Sequence, residues 1–251
     1  MYRRHLYSSF ILLISLLSCA LAQVSPKHIC DTQIHLLKSD STTAEIQIIL
    51  RPHSGWHAYW INPGDAGDCL SITPSQGKAH LIQASIPQRF SHMGLITYGY
   101  EQSASFLYKV SDLNPDQQLV IKADYLLCND TGCTPQTTET VFDLTSTSTT
   151  KQSSDSCHYP QPNHSISILD TSLSDSILTY TCQSKVNLSG WQVLPQTESL
   201  RELPEGSIVE RKGEHYTFRL ELQGTTPDKA LLLLRKSATE AILVKTQLEE
   251  R

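Results

Sequence analysis

Leu119-Val120-Ile121-Lys122-Ala123-Asp124-Tyr125-Leu126-Leu127-Cys128-Asn129-Asp130-Thr131-Gly132-Cys133-Thr134-Pro135 is the stretch from which the chain is read. Leu119, Ile121, Ala123, Tyr125 and Leu127 recur at every second position, the period of a strand with one face buried. The strand delivers Cys128. Asn129, Asp130, Thr131 and Gly132 are turn formers, and Cys133 and Pro135 follow them. The segment predicts a strand, a tight reversal that brings two sulfurs together, and a return strand. Thr137 to Leu144, rich in Thr with Val141 and Phe142, suits that return.

The same period extends outward on both sides. Gln33–Leu37 and Ala44–Leu50 read as strands, the second with Ile46, Ile48 and Leu50 alternating against Glu45 and Gln47. Trp56 to Ile61 begins as an aromatic strand and ends in the Pro/Gly turn of Asn62 to Gly67. Cys69–Ile72, Ala79–Ala84 and Ser105–Val110 are further short strands, and Phe90 to Glu101 reads as loop. Residues 146–156 are rich in Ser and Thr and read as a linker. Beyond them Ile177–Cys182, Trp191–Leu194, Tyr216–Leu222, Ala230–Leu234 and Ala241–Val244 resume the strand pattern. Many short strands, regular turns and no convincing amphipathic helix predict an all-β chain of two tandem sandwiches, 23–145 and 157–251.

The 251 residues carry a formal net charge of −5 and no Lys/Arg-rich block, which argues against a nucleic-acid partner. Residues 1–22 read as a signal peptide. Arg3 and Arg4 form the basic start, Phe10 to Leu17 the apolar run, and Ala20-Leu21-Ala22 the small-residue cleavage site. The apolar run is too short to span a bilayer, and no later stretch is long enough. Leu16-Leu17-Ser18-Cys19 offers a competing reading, a lipobox that would anchor the chain to a membrane through Cys19. Cleavage after Ala22 leaves Cys30, Cys69, Cys128, Cys133, Cys157 and Cys182. Six cysteines in an oxidising compartment suggest disulfides but allow 15 pairings.

Three chemistries compete for Cys128 and Cys133. The pair can be a structural staple, a redox-active dithiol, or half of a zinc site. The zinc reading lacks a second Cys or His pair at ligand spacing. A reactive thiolate is usually stabilised by a cation or a helix N-terminus. The turn offers Asp130, and the nearest basic residue before it is Lys122. The pair therefore reads as a modest nucleophile that depends on its partner for activation.

Three segments together resemble the N-terminal domain of DsbD-type thiol:disulfide interchange proteins, within a ScsB-like subgroup. They are Trp56-His57-Ala58-Tyr59-Trp60-Ile61-Asn62-Pro63-Gly64-Asp65-Ala66-Gly67, then Thr97-Tyr98-Gly99-Tyr100-Glu101, then Asp124 to Cys128 with Cys133-Thr134-Pro135. The resemblance covers most of residues 28–248 and is weaker in the later half. It implies immunoglobulin-like sandwiches in the periplasm, with Cys128 and Cys133 as a redox pair that passes electrons to exported thiol-disulfide proteins. It also implies a cap over the disulfide formed by the segment of Met93, Thr97, Tyr98, Gly99 and Tyr100. The residue preceding Tyr98 is not aromatic, so Tyr98, Tyr100 and Met93 are the candidate shields. The sequence holds no polytopic membrane segment and no thioredoxin-like domain, so electrons are expected from a separate membrane carrier. No cofactor is expected.

Cys30 with Cys69, and Cys157 with Cys182, are candidate structural disulfides in an exported protein. Trp56, Tyr59 and Trp60 read as core more readily than as site. Asp65 is a candidate contact to the site. His53, His57, His80 and His92 show no ligand spacing and read as surface residues, so no metal is expected. The alternative to a redox relay is a protein-binding sandwich in which every disulfide is structural.

Overall fold

The computed structural model describes residues 28–92, 94–144 and 157–247. The expected signal peptide with Cys19, the expected cap residue Met93 and the expected 146–156 linker lie outside the described residues. Among the described residues every regular element is a strand, as the sequence predicts.

The first sandwich is built from β1 (Cys30–Ser39), β2 (Thr43–Pro52), β3 (His57–Gly64), β4 (Ser71–Pro74), β5 (Lys78–Ala84), β6 (Gln88–His92), β7 (Leu95–Tyr100), β8 (Ala104–Ser111), β9 (Leu119–Asn129) and β10 (Gly132–Phe142). One sheet runs β1-β2-β8-β5, the other β10-β9-β3-β7-β6, with β4 also paired to β9. The alternating residues do what their period demands. Leu119, Ile121, Ala123 and Leu127 of β9 and Ile46, Ile48 and Leu50 of β2 are fully buried between the sheets. Trp60, Tyr98 and Phe106 fill the widest part of this core.

The segment read as loop, Phe90 to Glu101, is instead the β6–β7 hairpin, in register from Gln88↔Gly99 to His92↔Leu95. Its glycines and polar residues masked a strand whose buried side chains, Ile96, Tyr98 and Tyr100, still alternate.

The second sandwich holds β11 (Gln161–Pro162), β12 (Ile166–Ser174), β13 (Ile177–Ser184), β14 (Gln192–Pro195), β15 (Leu200–Arg201), β16 (Glu210–Lys212), β17 (His215–Leu222), β18 (Lys229–Arg235) and β19 (Ala241–Gln247). Its sheets run β11-β19-β18-β14 and β12-β13-β17-β15, with β16 on β17. Leu232, Leu234, Tyr180, Phe218 and Leu220 make its core. β12 escapes a reading by pattern because most of its side chains are exposed.

The two sandwiches are joined by more than chain continuity. Leu194, Leu233 and Ala241 of the second pack into the core of the first. The Asn62 amide, 1% exposed, donates to the carbonyls of Pro195 at 2.9 Å and Thr197 at 3.3 Å. Glu202 reaches the inner side of the β6–β7 hairpin. Its carboxylate accepts from Arg89 Nε at 2.6 Å, from the Tyr98 hydroxyl at 3.2 Å and from the Ser207 amide at 3.1 Å. A buried carboxylate needs such a full set of partners, because an unpaired charge in that position costs several kcal/mol, roughly 3 to 5.

Candidate redox site

The turn after β9 has two loop residues, Asp130 and Thr131, since Asn129 pairs with Gly132. Asn129 shapes it. Its side-chain oxygen accepts from the amides of Thr131 at 2.8 Å and Gly132 at 3.0 Å, an Asx turn. Cys128 and Cys133 are therefore direct cross-strand partners, with Cα atoms 4.0 Å apart and a disulfide between them. Directly opposed side chains share a face. This one is the outer face of the sheet, because Leu127 points into the core.

The two sulfurs differ in access. Cys128 is 3% exposed, whereas Cys133 lies on the open strand β10, where Gly132 to Pro135 are all exposed. On its other side Cys128 faces His57 of β3, its register partner across the ladder. The His57 ring lies 5.2 Å from the Phe90 ring of the hairpin, centroid to centroid, and its Nε2 is 3.2 Å from the Tyr59 hydroxyl. Burial lowers the His57 pKa from 6.5, and the carboxylates of Glu101 and Asp130 pull it partly back. A titratable imidazole thus stands beside the dithiol. Spacing in the sequence does not reveal this neighbour, because His57 is 71 residues from Cys128 and only the β3–β9 ladder joins them.

The aromatic signature forms the support behind this row. Trp60 and Tyr59 are buried and Trp56 half-buried. The Tyr59 ring lies over Gly67, where a Cβ would come within 2.3 Å of it, and Gly67 has a φ of +101°. Any other residue there would displace the tyrosine that holds His57. Asp65 does not touch the dithiol. Its carboxylate accepts from the Ile96 amide at 2.7 Å and its own amide donates to the Ile96 carbonyl at 2.8 Å, which fastens the turn to the start of β7.

Two of the residues expected to cap the disulfide lie in the core instead. Tyr98 and Tyr100 turn inward, 1% and 4% exposed, and their hydroxyls donate to Glu202 and to the Ser85 carbonyl. They cannot shield a disulfide on the outer face. Strand alternation sends them to the core, while Thr97 and Phe90, paired with each other, share the opposite face. Gly99 pairs with Tyr59, and a Cβ on it would meet the Ala58 carbonyl at 2.0 Å. Phe90, which no sequence motif singles out, is the hairpin aromatic in ring contact with the Cys128 partner His57.

The expected staples are not formed. Cys30, Cys69, Cys157 and Cys182 are free thiols. Cys30 accepts a hydrogen bond from Thr32 at the head of β1, and Cys69 precedes β4. Burial pushes both thiols up. Cys157 donates to the Ser103 carbonyl of the first sandwich. Cys182 is sealed in the core of the second, and burial pushes its thiol up to about 11. A bond between Cys157 and Cys182 would have to pull one of them out of its own sandwich.

Comparison with known proteins agrees with this geometry. The crystal structure of the N-terminal periplasmic domain of ScsB from Proteus mirabilis superposes with a TM-score of 0.69 at 16% identity, over 90% of this chain and 95% of that one. The N-terminal domain of DsbD from Neisseria meningitidis, crystallised in its reduced form, aligns at 14% identity over 48% of this chain and 90% of that one, with a TM-score of 0.34. No curated protein matches in sequence. The family model for the N-terminal region of the thiol:disulfide interchange protein DsbD matches residues 26–145, from ahead of β1 to beyond β10 and with the Cys128–Cys133 hairpin inside it. Residues 26–145 belong to the DsbD N-terminal family.

Proposed function

We propose that the protein is an exported thiol-disulfide exchange component that relays reducing equivalents through Cys128 and Cys133. The observation that carries this reading is the unequal exposure of the two bonded sulfurs in a DsbD-family hairpin. A donor thiolate reaches the Cys133 sulfur, forms a mixed disulfide with it and expels Cys128 as a thiolate. A second thiol of the donor then attacks the donor sulfur bonded to Cys133, which forms the donor's disulfide and releases reduced Cys133. Delivery runs the other way. The Cys133 thiolate attacks a partner disulfide, and Cys128 then closes the bond to Cys133 and frees the reduced partner. Two electrons move in each cycle, and no cofactor takes part.

His57 serves the buried member of the pair. In the oxidised state its environment favours the neutral ring. A thiolate generated at Cys128 places a negative charge opposite it across the ladder, which raises the affinity of the imidazole for a proton. Reduction is then accompanied by proton uptake at His57, and the imidazolium stabilises the leaving thiolate. Phe90 lies against the same ring and holds it in place opposite Cys128.

The electron donor is a separate membrane carrier and the acceptors are periplasmic thiol-disulfide proteins, in keeping with the periplasmic ScsB domain of the same fold. Trapping tests the assignment. Cys128→Ala leaves Cys133 unable to be resolved and should accumulate a mixed disulfide with its partner, whereas Cys133→Ala should accumulate none. Equal trapping by the two variants, or none by either, contradicts it.

A further inference from the structure

Ahead of β1 and just past β2 the chain brings together two histidines and an aspartate that no motif spacing announces. Asp31 is the cross-strand partner of Arg51, Cys30 that of Pro52, and the His53 amide donates to the Ile29 carbonyl at 2.9 Å. This ladder fixes the two stretches side by side. His28 Nδ1 then lies 3.5 Å from one Asp31 carboxylate oxygen, and His53 Nε2 lies 3.5 Å from the other. The two imidazoles stack, 5.3 Å between centroids and 22° between planes. One ligand atom from each of the three residues falls within 4.8 Å of the others.

Those separations suit a small ion. Zinc held tetrahedrally at about 2.0 to 2.2 Å from N and O ligands has ligand–ligand edges of roughly 3.3 to 3.6 Å. Each imidazole nitrogen already lies 3.5 Å from an Asp31 oxygen, one from Oδ1 and one from Oδ2, and rotation of the exposed side chains brings both to a single oxygen at ligand spacing. Two imidazoles and one carboxylate form a borderline donor set that selects zinc-class ions over magnesium and calcium, which take oxygen ligands. The side chains of His28, Asp31 and His53 are 70%, 58% and 42% exposed, so an ion arrives directly from solvent and water completes its shell. Cys30, between two of the ligands in sequence, points elsewhere, toward Thr32.

We propose that His28, Asp31 and His53 form a binding site for a zinc-class divalent transition ion. The site shares no residue with the dithiol. It clamps the chain ahead of β1 onto the loop after β2, and that loop leads straight into β3. The Trp56 amide donates to the His53 carbonyl at 2.9 Å, and His57 follows.

Calorimetric titration of the untagged, oxidised protein with Zn²⁺ tests the proposal, with Mg²⁺ and Ca²⁺ as controls. One equivalent should bind saturably below millimolar Zn²⁺, and the controls should give no heat. His53→Ala and Asp31→Asn should each weaken binding at least tenfold while leaving the melting temperature of the metal-free protein unchanged. Loading with Co²⁺ should give visible bands of a nitrogen/oxygen site without sulfur charge transfer. Binding unaltered by both substitutions, sulfur charge transfer in the cobalt form, or no Zn²⁺ binding at millimolar concentration would overturn it.

Discussion

His57 stands directly across the β3–β9 ladder from Cys128, so the less accessible sulfur of the disulfide has an imidazole as its neighbour. In the proposed relay, activation of the dithiol comes from this pairing between distant strands.

His57→Phe keeps a ring in this position and removes its proton chemistry. The reduced form should lose stabilisation of the Cys128 thiolate, and the potential of the pair should fall by roughly 30 mV, about 1.4 kcal/mol for two electrons. Equilibration with glutathione measures this. An unchanged potential would remove His57 from the reaction.

The same group predicts a pH dependence of stability. The folded His57 pKa lies below its ordinary 6.5, so as pH falls below that value the unfolded chain takes up a proton that the folded chain refuses. The stability associated with a neutral His57 is complete above pH 6.5 and is lost as the pH drops through the window between the two pKa values. Denaturation midpoints of the oxidised protein should fall across that window, and less so in His57→Phe.

Glu202 ties the β6–β7 hairpin to the second sandwich through Arg89 and Tyr98. Glu202→Ala leaves the largely buried Arg89 without its partner and should cost about 3 kcal/mol. Tyr98→Phe removes one hydrogen bond and should cost about 1 kcal/mol. Urea denaturation of each variant gives both values. If Glu202→Ala proves neutral, the interface does not hold the hairpin.

Much of this was legible in the residues. The alternation of Leu119 to Leu127 and of Ile46 to Leu50 predicts strands with one face in the core, and Asn129 to Gly132 predicts the reversal that sets Cys128 against Cys133. What depends on pairing between distant strands was not legible. His57 reads as a scattered histidine until β3 is laid beside β9. His28, Asp31 and His53 converge only once β1 and β2 are in register. Asn62 reads as a turn residue, whereas its amide spans the interface to Pro195. Tyr98 and Tyr100 are candidate shields only through the family resemblance, and a loop reading of Phe90 to Glu101 has no alternation to send them inward. The pairing of the remaining cysteines could not be chosen from counts. Local burial leaves each of the four in its own environment.

Those four thiols make a further prediction. Cys182, fully buried with its thiol pushed up to about 11, should resist alkylation in the native protein near neutral pH. Mass spectrometry after brief iodoacetamide treatment should find Cys182 unmodified until the chain is denatured. Rapid native labelling would place it on the surface.

The relay stands on the redox behaviour of one bond. Equilibrating the protein in a series of thiol–disulfide buffers and quantifying the Cys128–Cys133 dithiol gives its reduction potential. An exchange protein should lie between roughly −120 and −270 mV. A value below about −300 mV would contradict the relay and make the bond a structural staple at the tip of the β9–β10 hairpin.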